Sequence, residues 1–168
     1  MARWSEIVAA EPEFARQVQM RFAVNASETI ATLRKDGSPR ISGVDVVFRN
    51  GDLLFLDVTV GSMRASDLRR DPRLALHSPT TTATKEDLSD WPGDAKIAGC
   101  GIETVIEPDR GLTGFRVDAT EVARTYLEAD HLVIESWHER RGLQRRKRWY
   151  PLERRVKDAT YWRQTHSP

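Results

Sequence analysis

The spacing of apolar positions changes once, from helical to strand-like, early in the chain. Phe14, Val18 and Phe22 recur every four residues, which places them on one face of a helix, and Pro12 suits its first turn. The first two dozen residues are therefore expected to be helical. From Glu28 onward the period falls to two. Thr29 to Arg34 is rich in β-formers and runs into Lys35-Asp36-Gly37-Ser38, an Asp-Gly turn. A second run, Arg40 to Arg49, ends at Asn50-Gly51, and a third spans Leu53 to Val58. Two tight-turn signals so close together predict an antiparallel three-stranded meander.

Further along, Ser62 is placed to cap a short helix reaching about Arg70, with Asp71-Pro72 ending it. Leu74 to Ser78 returns to strand. The Thr-rich, then acidic, stretch from Pro79 to Asp94 holds Trp91-Pro92-Gly93 and reads as a long loop, of the kind that is usually functional or mobile. Ala95 to Ile106 reads as strand, where Gly99 and Gly101 suggest a bulge or a close backbone approach. Phe115 to Leu127 carries two signals. Propensity favours a helix over Ala119 to Leu127, whereas Phe115, Val117 and Ala119 alternate as in a strand. Leu132 to Trp137 is β, and Glu128-Ala129-Asp130 can turn one strand into the next, so a hairpin is expected. With no repeat and no linker, residues 1–168 form one domain. A helical segment (1–25) opens it and a basic segment (140–168) closes it.

Composition narrows the function classes. The 168 residues allow one well-formed core, and a formal net charge of +1 gives no reason to expect a nucleic-acid partner. Cys100 is the one cysteine, which excludes an intramolecular disulfide and a multi-cysteine zinc site. His77, His131, His138 and His166 show no metal-ligand spacing, so no metal is expected. Asp118 with His131 or Ser136 makes a triad only on paper, since no nucleophile elbow is present. No apolar run is long enough to span a bilayer, and Met1 to Glu6 lacks the character of a signal peptide, so no membrane partner and a reducing, cytoplasmic setting are expected.

The strongest chemical signal is Gly61-Ser62-Met63-Arg64. A helix beginning at Ser62 offers backbone N–H groups to an anion, Gly61 permits close approach, and Arg64 adds a cation able to hold phosphate bidentately, with Arg40 as a second. The plain alternative is an ordinary helix cap with solvated arginines.

The order of these features carries a resemblance. The stretch ATLRKDGSPRISGVDVVFRNGDLLFLDV, followed by GSMRASDLRRDPRLALHS, resembles the flavin-binding split-barrel proteins of the pyridoxamine 5′-phosphate oxidase-like family. FRVDATEVARTYLEADHLVIESWHERRGL is similar to that family's closing hairpin. The resemblance implies a mainly β fold: an antiparallel split β-barrel of six to eight strands, with Greek-key connections and flanking helices. It implies that Ser62, Met63 and Arg64 grip a cofactor phosphate, though relatives generally carry lysine where this chain has Arg64. Thr32 and Leu33, with Val44 and Asp45, would line the flavin ring. Trp137 is a candidate cover or partner-subunit contact, with plain packing as its alternative.

Three readings compete for the basic segment: a solvated strand face, a contribution of Arg141 and Arg146 to cofactor or anionic substrate, and, least favoured, nucleic-acid binding. In the true oxidase an Arg-Leu-His segment here helps hold the pyridoxal substrate. This chain has Gly142-Leu143-Gln144, lacking both polar anchors. The expected activity is hydride transfer between bound FMN and a small-molecule substrate in a homodimer with shared sites. The alternatives are a reductase using the deazaflavin coenzyme F-420 and a non-catalytic flavin- or heme-binding module.

Overall fold

The computed structural model describes residues 1–24, 27–56, 61–80, 91–107 and 112–151. The helical N-terminal segment is two short helices, α1 (Trp4–Ala10) and α2 (Pro12–Phe22), the second beginning at Pro12. Pro12 is the cause: it occupies the first turn of α2 and its ring forces Glu11 out of helical conformation, at φ −140°. The strands β1 (Glu28–Leu33), β2 (Pro39–Val44), β3 (Val46–Arg49) and β4 (Asp52–Leu56) follow, then helix α3 (Met63–Arg70). β5 (Arg73–His77), β6 (Asp94–Glu107), β7 (Leu112–Glu128), β8 (His131–His138) and β9 (Gly142–Trp149) complete the described elements.

All nine strands belong to one antiparallel sheet, ordered β2-β1-β5-β6-β7-β4-β3, with β8 on β7 and β9 on β8. The count exceeds the six to eight expected, because the run Arg40 to Arg49 is two strands and the basic segment supplies β9. The expected meander is also corrected. β2 pairs with β1 and β3 pairs with β4, at opposite ends of the seven-strand path, yet only Asp45 separates them in sequence. The sheet must therefore curl until its two ends meet, which closes a barrel at Asp45. Glu28 fixes that corner, its Oε2 accepting the Val46 N–H at 3.0 Å. An unbroken alternation of apolar residues hid the bend. The third run is observed as far as Leu56, and its last two residues lie outside the described residues.

Ile30, Phe55, Leu76, Ile97, Phe115, Val117 and Val122 fill the interior, with Phe55 stacked on Phe115 at 5.3 Å between ring centroids. The N-terminal helices cover one side of the barrel, where Trp4 and Phe22 meet Phe48 at 4.7 and 5.9 Å. Each such buried aromatic side chain contributes about 1.5–3 kcal/mol by its removal from water. The segment with two signals resolves as strand throughout. β7 holds β6 on one edge and β8 on the other, and this pairing outweighs the helical propensity of its residues. Gly99 sits at a register shift in β6, and a side chain there would bring its Cβ to 2.2 Å from the Asp118 carbonyl oxygen. Among the described residues no helix is long and apolar enough to cross a membrane.

Candidate functional site

Helix α3 lies against β1 and holds two groups of the sequence-predicted site residues, one at its start and one around Asp67, about 4.5 Å beyond Arg64 at the rise of an α-helix. At its N-terminal end the Ser62 Oγ accepts the Ala65 N–H at 3.3 Å, and the Ser62 carbonyl accepts from the Ser66 N–H. The amides ahead of Ala65 are those that a helix start leaves outside its own ladder, at the positive end of the dipole. Gly61 holds φ +77°, and among the described residues no atom lies within 4 Å of where a Cβ would stand. Met63 is 60% exposed beside it.

Arg64 ties this helix start to the barrel corner. Its Nη1 donates to the Gly43 carbonyl at 2.7 Å, and its guanidinium carbon lies 5.9 Å from the Phe55 ring centroid. Gly43 immediately precedes Val44, which is buried, and Asp45, which is exposed at the bend. The structure thus brings Ser62, Met63 and Arg64 together with Val44 and Asp45.

The group around Asp67 is built differently. Asp67 is 2% exposed, and its carboxylate accepts from Arg40 Nε at 2.6 Å, Arg70 Nη2 at 3.2 Å and Thr32 Oγ1 at 3.3 Å. Arg70 also donates to the Leu33 carbonyl. Burial alone would raise the Asp67 carboxyl, but the Arg40 and Arg70 guanidiniums and the Thr32 hydroxyl outweigh it and hold the group below the ordinary aspartate range. Arg40, Thr32 and Leu33 are therefore employed in fastening α3 to the β1–β2 hairpin. The Arg40 charge, read from the sequence as a second phosphate cation, is engaged here by a buried carboxylate.

Trp137 is 5% exposed and sits in the core, paired across the sheet with Val122 and Leu143. Trp137 thus packs inside its own chain, the plain-packing alternative to a cover or partner contact. Arg141 lies exposed in the β8–β9 turn, its N–H donating to the His138 carbonyl at 3.1 Å, and Arg146 lies exposed on β9 opposite Ile134. On the alternate face of β9, Arg145 meets Glu128 at 2.6 Å and Glu135 at 3.4 Å, and Lys147 also pairs with Glu128. Period-two alternation therefore puts Arg145 and Lys147 on the face that carries Glu128 and Glu135, and Arg146 on the other.

Sequence reasoning missed Asp67, whose spacing three residues before Arg70 was a legible signal for an ion pair. It also missed Arg124, a charge among apolar β positions that lies 2.9 Å from Glu135. Cys100 is half-buried on β6 opposite Asp118, which itself pairs with Arg116 at 2.8 Å. Among the described residues no group of three or more His, Cys, Asp or Glu stands close enough to hold a metal ion. What the helix start offers is an anion cradle beside an exposed strand bend.

No protein-family model and no curated protein matches the chain. Solved structures do. A pyridoxamine 5′-phosphate oxidase-related, FMN-binding protein from Nostoc punctiforme is similar with a TM-score of 0.58 at 10% identity, over 82% of this chain and 95% of that one. PhzG from Burkholderia lata, solved with tetrahydrophenazine-1-carboxylic acid, is similar with a TM-score of 0.57 at 9% identity, over 86% and 92%. A conserved hypothetical protein from Mycobacterium tuberculosis reaches 0.52 at 20% identity, over 74% and 89%. These likenesses establish the fold: the chain is a split barrel of the pyridoxamine 5′-phosphate oxidase-like type, with an antiparallel sheet and flanking helices.

Proposed function

We propose that the chain is a flavin-dependent oxidoreductase that holds its cofactor, FMN, by the phosphate at the start of α3. The observation that carries this is the hydrogen bond from Arg64 to the Gly43 carbonyl. It sets a cation and a helix N-terminus against the strand end bearing Val44 and Asp45, so one site offers both an anion cradle and an exposed backbone bend.

The residues fit the group. The Ser62 hydroxyl and the first amides of α3 can donate to a phosphate monoester, and Arg64 supplies a charge-assisted contact. Val44 and Asp45 stand where the ring would meet the protein. A bound flavin supplies the hydride chemistry, and the chain needs no nucleophile of its own for it. Its residues bind, orient and shape the substrate face. Gly142 and Gln144 offer neither cation nor imidazole, so the proposed substrate is a small molecule other than a vitamin B6 phosphate.

A second copy of the chain completes the proposal. Ile41, 74% exposed on β2, and Val47, exposed on β3, flank the bend at Asp45 and give an apolar outer face next to the cradle. A homodimer burying this face is expected to show as twice the chain mass by light scattering at micromolar concentration, and a mass of one chain would remove the shared site.

The phosphate reading is tested by titrating the purified protein with FMN and with riboflavin, following flavin fluorescence. Loss of the phosphate removes a charge-assisted contact, so riboflavin is expected to bind at least about tenfold more weakly. Equal affinities would overturn the cradle, and a parallel titration with coenzyme F-420 separates the two ring systems.

A further inference from the structure

None of the residues that make the α3 cradle lines the cavity beside the end of α2. The last turn of α2, the segment entering β6 and the distal half of β7 enclose about 240 Å³, walled by Gln17, Arg21, Trp91, Arg124, Tyr126 and Leu127. Arg21 reaches across it, its Nη1 donating to the Pro92 carbonyl at 3.1 Å.

The charges around the cavity do not cancel. Arg124 lies 2.9 Å from Glu135 Oε2 and stacks 4.0 Å from the Tyr126 ring centroid, so its charge is matched. Asp94, on the same wall, is shared by Lys96 at 3.8 Å and His77 at 3.6 Å. Arg21 has no carboxylate partner among the described residues, and its one hydrogen bond goes to a neutral carbonyl. Burial and the neighbouring Arg124 charge both hold the Arg21 guanidinium below its ordinary range. A partly desolvated cation facing an open cavity is a standing cost that an anion relieves.

Size and lining narrow the anion. The volume falls below the roughly 300 Å³ at which pockets for drug-sized ligands begin, so the ligand is small. Trp91, Tyr126 and Leu127 supply apolar and aromatic walls suited to a flat body. One unmatched cation, with Asp94 nearby, favours a single negative charge over the dianion of a phosphate ester. A guanidinium pairs with a carboxylate through two parallel hydrogen bonds. We infer that this cavity is a binding site for a small planar monocarboxylate, with Arg21 holding the carboxylate and Trp91 and Tyr126 flanking the ring.

Benzoate is the probe. Calorimetric titration of the full chain is expected to give saturable binding at roughly millimolar Kd or tighter. Arg21→Gln should weaken it at least about tenfold by removing the charge-assisted pair, while Arg64→Ala leaves it unchanged. Benzoate should also change the tryptophan emission of the parent chain, and Trp91→Phe should abolish that change. This second readout stands even if the Arg21 variant fails to fold. Absence of saturable binding, unaltered affinity in folded Arg21→Gln, a fluorescence response that survives Trp91→Phe, or equal affinity for inorganic phosphate would each overturn the site.

Discussion

From its middle α3 turns the buried Asp67 carboxylate toward two guanidiniums and a hydroxyl, and at its N-terminal end it presents backbone amides, Ser62 and an exposed Met63. Arg64 and Arg70 stand six residues apart on this helix, about 9 Å at helical rise, and they serve different purposes. Arg40 and Arg70 converge on Asp67, so their charges are consumed in holding the helix to β1 and β2. Arg64 braces the helix start against the Gly43 carbonyl. The difference teaches that a cation's role in this fold follows from where the nearest buried acid sits. The residue type alone does not decide it.

The comparison breaks first at Asp67. Replacing it with alanine strands two guanidiniums around a buried site, and losing one partner of such a network costs about 3–5 kcal/mol. Urea unfolding should register that loss, while the protein that remains folded keeps its FMN affinity within a few-fold. An Asp67→Ala variant as stable as the parent would mean that Arg40 and Arg70 are not held by this carboxylate.

Arg64→Ala should give the mirror result. Removing the charge-assisted phosphate contact is expected to weaken FMN binding by about 1.5–3 kcal/mol, with a smaller change in unfolding free energy. Affinity within a factor of two of the parent would return Arg64 to the class of structural arginines. Ser62→Ala comes next in size: loss of the cap costs about 1 kcal/mol of stability, and FMN binding should weaken with it. A stability loss with untouched affinity would make Ser62 a cap alone.

How far the sequence disclosed this contrast depended on chain distance. The helix itself was legible, because Ser62, Asp71 and Pro72 are local signals and the structure has Ser62 capping α3 and Asp71 ending it. The Asp67–Arg70 pair was equally local. The Arg40–Asp67 pair was not: its partners are far apart in sequence and meet only because β1 and β2 pass under α3. For the same reason Arg40 looked available beside Arg64. The barrel closure was hidden in another way. Val44, Val46 and Phe48 keep strand alternation through Asp45, and nothing local says that β2 and β3 pair with different neighbours. Trp137 was open to two readings on sequence, since period two gives its face on β8 and leaves undecided whether a core or a partner lies there.

The smallest expected effect is also the one that separates the two ends of the barrel most cleanly, because two buried carboxylates titrate in opposite senses. Asp67 is held below its ordinary 3.8 by its cationic partners. Its contribution to stability is therefore complete above that pH and is lost as pH falls through the lower, folded value. Glu28, 3% exposed at the corner between β2 and β3, is raised above its ordinary 4.5, chiefly by burial, against the lowering effect of the Val46 N–H. Its protonated form is the one the fold favours, so its contribution is complete below 4.5 and is lost as pH rises through the higher, folded value. Glu28→Gln keeps an acceptor for Val46 and removes the charge, so it should stabilise the protein at pH 7 and lose that advantage toward pH 4. Asp67→Asn should be destabilised at pH 7, with its deficit shrinking as the parent's own carboxylate is protonated. Unfolding free energies of both variants, measured in urea across this range, should differ from the parent with opposite signs at neutral pH. If both variants are less stable than the parent at pH 7, Glu28 acts as an ionised anchor for Val46, and the corner is held by charge in the same way as α3 is at Asp67.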